Sequence, residues 1–231
     1  MTFQDDIISL DFSQLNRKRW VSYFDLLGFS DRVKKHNLAS VFGEYEKALR
    51  ELHWRCEGRP TMGLAWFSDT FLIYAPDDSK EAFGEIDRQS RLFMEFLLRA
   101  EIPLQGAMSC DEFYVDQPNQ VFLGKGLVEA YEYGSCQDWI GLVLCPSVIA
   151  QLTVVSLNLD ERSDYALWPV PMKPKRNESP EACLYAYKLG ALEKSAQGNA
   201  LVPILERMRS CVSDDSIRRK YDHTLRFLSA R

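Results

Sequence analysis

The stretch Arg19-Trp20-Val21-Ser22-Tyr23-Phe24-Asp25-Leu26-Leu27-Gly28-Phe29-Ser30 decides how the rest of the chain is read. Aromatic and aliphatic side chains fill it as far as Leu27, the pattern of a buried strand, and Gly28 closes the run with a turn residue. Ser30 then offers an N-cap for a helix in which Leu38, Val41, Phe42, Tyr45, Ala48, Leu49 and Leu52 recur at helical spacing. The order is strand, tight glycine turn, long amphipathic helix. One residue does not match its neighbours. Asp25 is an acid inside an apolar strand, and an ionised carboxylate there is costly unless it is paired with charge or metal.

Working outward, Thr61–Phe67 and Thr70–Tyr74 are apolar runs joined at Ser68-Asp69, which predicts a hairpin with a short polar turn. A second helix is predicted from about Ser79 to Ala100. Leu104–Ser109 and Phe113-Tyr114-Val115 read as strands, Gly124-Lys125-Gly126 opens a helix through about Tyr133, and Trp139–Leu144 is a further apolar strand. Trp168–Pro180 holds four prolines and three cations and reads as a loop before a last strand, Ala182–Tyr187. Ile217, Tyr221, Leu225 and Leu228 form one stripe of a C-terminal helix capped by Ser213 or Asp214. Alternation of β-α-β-β-α-β-β-α-β predicts an α+β fold with helices packed on a mostly antiparallel sheet, plus C-terminal helices.

The chain has 231 residues, 46% hydrophobic and 26% charged, which excludes a disordered, collagen-like or disulfide-scaffold protein. A net charge of −5 argues against nucleic acid as a partner and makes an anionic substrate hard to hold without local cations or metal ions. The acidic start, with no basic n-region, predicts no export signal, and no run reaches about 18 apolar residues. A cytoplasmic protein without a membrane span is expected. Cys56, Cys110, Cys136, Cys145, Cys183 and Cys211 form no C-x-x-C pair and read as buried thiols. His36, His53 and His223 lie far apart and read as surface or hydrogen-bonded residues.

Asp25 and Asp69 sit on separate strands and could converge on one site. If they do, two carboxylates completed by phosphate oxygens and water suit Mg²⁺ or Mn²⁺. Gly28 feeding a helix would add backbone N–H groups beside Asp25 as a phosphate cradle. The alternative for each acid is a turn or capping residue at a strand end.

Phe24-Asp25-Leu26-Leu27-Gly28-Phe29-Ser30 resembles the first metal-binding strand of class III nucleotidyl cyclases, F-D-I-x-G-F-S/T. Phe67-Ser68-Asp69 resembles the family's second metal aspartate, with Ser in place of the usual Gly, and Pro103–Ser109 and Gly124–Ala130 resemble its later strand and glycine-to-helix segment. The resemblance covers Trp20 to Tyr187 and implies a ferredoxin-like cyclase core, with residues 1–190 as catalytic domain and 191–231 as a helical extension. It implies two Mn²⁺ or Mg²⁺ ions on Asp25, Asp69 and the Leu26 carbonyl, with Tyr23, Phe24, Leu27, Gly28, Phe29, Ser30 and Lys173 toward the nucleotide. Lys175 and Arg176 neighbour that lysine. It further implies a homodimer with active sites at the interface, a nucleoside triphosphate substrate, and a cyclic nucleotide acting on an effector without stable binding.

The family's purine-reading positions fall on Ala65 and Val121, which cannot hydrogen-bond a base through their side chains, and its transition-state Asn and Arg fall near Val128 and Glu132. These departures resemble the stand-alone pyrimidine (uridylate or cytidylate) cyclases of bacterial antiphage defence. Tyr23, on the face of Asp25, is expected to narrow the base pocket or to fill the sheet's core. The alternatives are a purine cyclase with other base contacts and a degenerate cyclase fold that binds nucleotide without turning it over.

Overall fold

The computed structural model describes residues 14–35, 37–55, 57, 62–173, 181–191 and 199–230. The opening stretch is strand β1 (Lys18–Leu26), central in a seven-stranded sheet. It pairs antiparallel with β3 (Thr70–Tyr74) on one side and β4 (Leu104–Glu112) on the other. Beyond β3 lies its hairpin partner β2 (Gly63–Phe67); beyond β4 lie β7 (Leu142–Leu144), β9 (Glu181–Tyr187) and β8 (Tyr165–Pro171), giving the order β2-β3-β1-β4-β7-β9-β8. The predicted α+β class holds, and among the described residues only the short β4–β7 pair is parallel. A separate hairpin joins β5 (Tyr114–Asp116) to β6 (Val121–Leu123).

Alternation along β1 sorts its side chains onto two layers. Trp20, Ser22, Phe24 and Leu26 face helix α3 (Lys80–Arg99): the Trp20 ring lies 4.9 Å from Phe83, Phe24 lies 5.1 Å from Phe93, and Ser90 Oγ donates to Ser22 Oγ at 2.7 Å. Ser79 caps α3, its Oγ accepting from the Ala82 N–H at 3.2 Å. Val21, Tyr23 and Asp25 face the other layer, where helix α4 (Lys125–Cys136) and the β5–β6 hairpin cover the sheet.

Several boundaries differ from the sequence reading. The single helix after Gly28 is two, α1 (Phe29–Lys35) and α2 (Leu38–Arg55); Ser30 lies inside α1, and Asn37 accepts from the Ser40 N–H at 2.8 Å at the start of α2. Within α2, Val41, Tyr45, Ala48 and Leu52 are buried, but Leu38 and Phe42 are exposed. The stretch from Trp168 begins in strand, since β8 runs to Pro171. Pro169 and Pro171 are accommodated because β8 is the sheet's edge, where the missing N–H is not needed by a further strand. Residues 174–180, with Lys175 and Arg176, lie outside the described residues, as do His36 and Cys56. Trp139–Leu144 is strand only from Leu142, and helix α5 (Pro146–Val154) and β6 were not anticipated. Cys110 and Cys145 are buried as expected, whereas Cys183 and Cys211 are exposed. Among the described residues no helix is long and apolar enough to cross a membrane.

The C-terminal helices α6 (Leu201–Ser210) and α7 (Asp215–Ser229) pack into the same core through Leu201, Leu205, Met208 and Tyr221. Asp214 caps α7, and Thr224 Oγ1 both accepts from the Ile140 N–H at 2.8 Å and donates to the Ile140 carbonyl at 2.9 Å. That docking carries the face of α7 to the end of β1.

Candidate active site

Three neighbouring strands meet around Asp25. Its register partners are Thr70, first residue of β3, and Gln105 on β4. The β2–β3 turn at Ser68-Asp69, with Ser68 at φ 55°, folds back on the end of β1, so that the Leu26 N–H donates to the Asp69 carbonyl at 2.9 Å. The two acids are thus brought to one end of the sheet, as the alternation of β1 and the hairpin require. Gly28 follows at φ +73°, a conformation that L side chains rarely adopt, and the Leu27 N–H donates to Pro103 at 2.8 Å.

Burial raises the Asp25 carboxyl above the usual carboxylate range; the Gln105 hydrogen bond and the positive charges of Lys173 and Lys220 oppose that rise, while the charge of Asp69 adds to it. Gln105 Nε2 donates to Asp25 Oδ2 at 2.8 Å. Among the described residues, no donor hydrogen-bonds to the Asp69 carboxylate and no cation pairs with it. Two carboxylates that repel each other, at a partly open sheet end beside the Leu26 peptide, form an oxygen donor set of the kind a hard divalent cation takes.

The remaining expected residues divide. Tyr23 shares the face of Asp25, but its ring is buried edge-on against Tyr131 at 5.5 Å, and burial, followed by the charge of Asp25, pushes its hydroxyl up to about 12. Phe24 points to the opposite layer and is fully buried against Phe93, so its side chain is core and cannot touch a nucleotide. Leu27, Gly28, Phe29 and Ser30 form the turn and the start of α1, and Leu27 and Gly28 are among the residues lining a cleft of about 360 Å³, with Arg32, Pro103, Lys220 and Tyr221. Lys173 is exposed after β8, its ammonium donating to the Ser135 carbonyl on α4, and its charge reaches Asp25. Ala65 lies on β2 and Val121 on β6. Beside them Leu72, Phe122, Gln117 and Gln120 line a cleft of about 380 Å³ between the two hairpins.

Sequence reasoning missed Gln105 and Lys220. Lys220 Nζ, on α7, donates to Gln105 Oε1 at 3.2 Å and to the Gln137 carbonyl at 3.0 Å, and stands 3.7 Å from Asp138 Oδ1. Each had a signal: Gln105 is a polar residue inside the apolar run Leu104–Met108, and Lys220 is three residues from Ile217 and four from Thr224, on the inward face of α7.

Burial, reinforced by the charge of Lys173, pulls the Lys220 ammonium down from 10.5 to about 8. Between those values the unfolded chain holds the proton that the folded chain has released, so stability rises with pH across that window, and below it the buried charge costs stability. In metal-free buffer, Lys220→Met is therefore expected to be more stable than wild type at pH 7 by roughly 2–3 kcal/mol, a gap that narrows toward pH 10. Urea unfolding of both proteins at the two pH values measures it; a gap that is absent or widens with pH contradicts the electrostatic reading.

No protein-family model and no curated protein sequence matches the chain. Solved structures do. The adenylyl cyclase CyaB from P. aeruginosa superposes with a TM-score of 0.54 at 8% identity, covering 74% of this chain and 94% of that one. The catalytic core of a rhodopsin-guanylyl cyclase with converted specificity, in complex with ATPαS, gives 0.56 at 10% identity over 74% and 95%. The guanylate cyclase domain of RhGC from Catenaria anguillulae, in complex with GTP, gives 0.53 at 10% identity over 74% and 96%. The chain has the fold of a class III nucleotidyl cyclase catalytic domain.

Proposed function

We propose that the protein is a nucleotidyl cyclase that converts a pyrimidine nucleoside triphosphate, UTP or CTP, to the 3′,5′-cyclic nucleotide and pyrophosphate. The observation that carries this reading is the convergence of Asp25 and Asp69 at one sheet end, where the Asp69 carbonyl accepts from the Leu26 N–H and the Asp69 carboxylate pairs with no cation among the described residues. Asp25, Asp69 and the Leu26 carbonyl would hold two Mn²⁺ or Mg²⁺ ions. Bound there, the ions supply an acidified ribose 3′-hydroxyl and a neutralised triphosphate. The chain's own part is to fix the Asp25 carboxylate through Gln105, to place Gly28 and the first turn of α1 beside it, and to offer Lys173 to the phosphates.

The pyrimidine assignment rests on the cleft between the hairpins. Ala65, Leu72 and Phe122 give it apolar walls, and Gln120 supplies an amide able both to donate to and to accept from a base edge. The other amide, Gln117, is engaged with the Leu64 carbonyl and the Tyr74 hydroxyl. The similar structures named above are adenylyl and guanylyl cyclases, so pyrimidine choice is the part of the proposal specific to this chain. Val128 and Tyr131, exposed on α4, and Phe67 at the hairpin tip support a homodimer whose interface closes over the site. We extend the proposal to the second-messenger role in bacterial antiphage defence that the sequence resemblance implies.

Purified protein with Mn²⁺ and each of the four ribonucleoside triphosphates, with products identified by mass, tests the reading. Cyclic UMP or cyclic CMP is the expected product. Cyclic AMP or cyclic GMP alone overturns the pyrimidine assignment, and no cyclic product from any of the four overturns the enzyme.

A further inference from the structure

We infer that Lys220, delivered by the C-terminal helix α7, is a positioning residue for the carboxylate site, acting on Asp25 through the amide of Gln105. The geometry carries it. Gln105 is fully buried, and an amide can point either end at a neighbour. Here both neighbours dictate the sense. An ammonium only donates, so Lys220 Nζ requires the amide oxygen; a carboxylate only accepts, so Asp25 Oδ2 requires the amide NH₂. Gln105 Nε2 also reaches the Ser135 carbonyl at 3.5 Å, which favours the same sense, but Lys220 is the one described side chain that hydrogen-bonds to Gln105 Oε1, and it fixes the oxygen end of the orientation in which Gln105 holds Asp25.

The ammonium is also committed on its remaining sides, to the Gln137 carbonyl and toward Asp138, and Asp138 is itself held by Arg219 Nε at 2.7 Å. With its donors engaged and its side chain buried, Lys220 is built to orient rather than to take up a phosphate, a part left to the exposed Lys173. An apolar residue of similar length would avoid the cost of desolvating the ammonium, so the stability this lysine gives up is set against its hold on Gln105. Groups that orient metal-binding side chains in this way typically change metal affinity or activity by about 10–100-fold when removed.

The inference rests on the cyclase reading for its catalytic consequence, and the test separates the two. Lys220→Met, Gln105→Met and the double variant are compared with wild type in two measurements: kcat and KM for the nucleotide, and Mn²⁺ affinity without nucleotide, followed by the electron spin resonance of the free ion. Each single variant is expected to lower kcat and weaken Mn²⁺ binding roughly ten-fold, and the double variant to lose about ten-fold rather than the ~100-fold of independent effects. Melting temperatures no lower than wild type show that the fold is intact. Additive losses, or a Lys220→Met that raises only KM for the nucleotide, overturn the positioning role while leaving the cyclase reading untouched. If wild type makes no cyclic product but the Mn²⁺ affinities still fail to add, the function falls and the positioning role stands. A wild type that binds no Mn²⁺ overturns the inference.

Discussion

Asp25→Asn and Asp69→Asn are each expected to abolish formation of cyclic nucleotide, lowering the rate at least ~10³-fold, or about 4 kcal/mol of transition-state stabilisation. The two substitutions share a chemical logic but differ in their effect on the fold, and that difference makes the experiment informative. Asn at position 25 keeps the shape of Asp and its oxygen can still accept from Gln105 Nε2, so the hydrogen bond survives. What is lost is the negative charge that burial and the charge of Asp69 already disfavour. Asp25→Asn should therefore melt no lower than wild type, and in metal-free buffer higher. Asp69 lies in the hairpin turn, where the exchange should move stability by no more than about 0.5 kcal/mol. Loss of activity with the fold preserved or strengthened is the signature of carboxylates kept for chemistry. Activity assays and thermal melts of the same preparations check it; a variant retaining a tenth of wild-type activity would remove that carboxylate from the proposed metal set.

The same contrast shows what was legible in the sequence. Asp25 stood out because it is the one acid in an apolar run, and the Ser68-Asp69 turn because two strand-like runs flank it; both are local signals, and the structure puts both residues where those signals required. Phe24 was misplaced for an equally physical reason. A motif names residues in a line, but a strand sends neighbouring side chains to opposite faces, so the Phe24 side chain belongs to the α3 layer, and Leu26, whose side chain faces the same way, has only its backbone to offer the site. Gln105 and Lys220 could not be joined to Asp25 from the sequence, since their contact depends on the register of β4 against β1 and on where α7 docks. Neither follows from periodicity. The strand β8 was hidden by its own prolines, which forbid an interior strand but not an edge one, and edge position is a property of the whole sheet. The split between α1 and α2 was hidden because the apolar stripe from Leu38 to Leu52 lies wholly in α2, and between Phe29 and Lys35 no proline or glycine marks a break.

Gly106→Val is expected to destabilise the protein by about 3–5 kcal/mol, a large effect for a single substitution. Gly106 pairs with Phe24 on β1 and with Leu142 on β7, at the centre of the sheet. A Cβ there would lie 2.6 Å from the Phe24 ring and 2.8 Å from the Tyr23 carbonyl oxygen, and the second of these is backbone that cannot swing aside. The β-branched side chain would add two methyl groups to that overlap, and β1 would have to separate from β4. Relief is blocked on the other side as well, because the Gly106 N–H donates to the Gly141 carbonyl at 2.8 Å and its own carbonyl accepts from Gln137 Nε2 at 2.9 Å. Movement of β4 would carry Gln105 away from Asp25, so activity should fall in the fraction that still folds. Gly84→Ala gives the opposite sign on the same type of residue: Gly84 is exposed in α3, nothing lies within 4 Å of its added Cβ, and the exchange should stabilise by up to about 1 kcal/mol through helix propensity. Urea midpoints of the two variants measure the pair. A Gly106→Val protein as stable as wild type would mean that β1 and β4 do not approach as closely as the site requires, and with that approach would go the geometry that links Gln105 to Asp25.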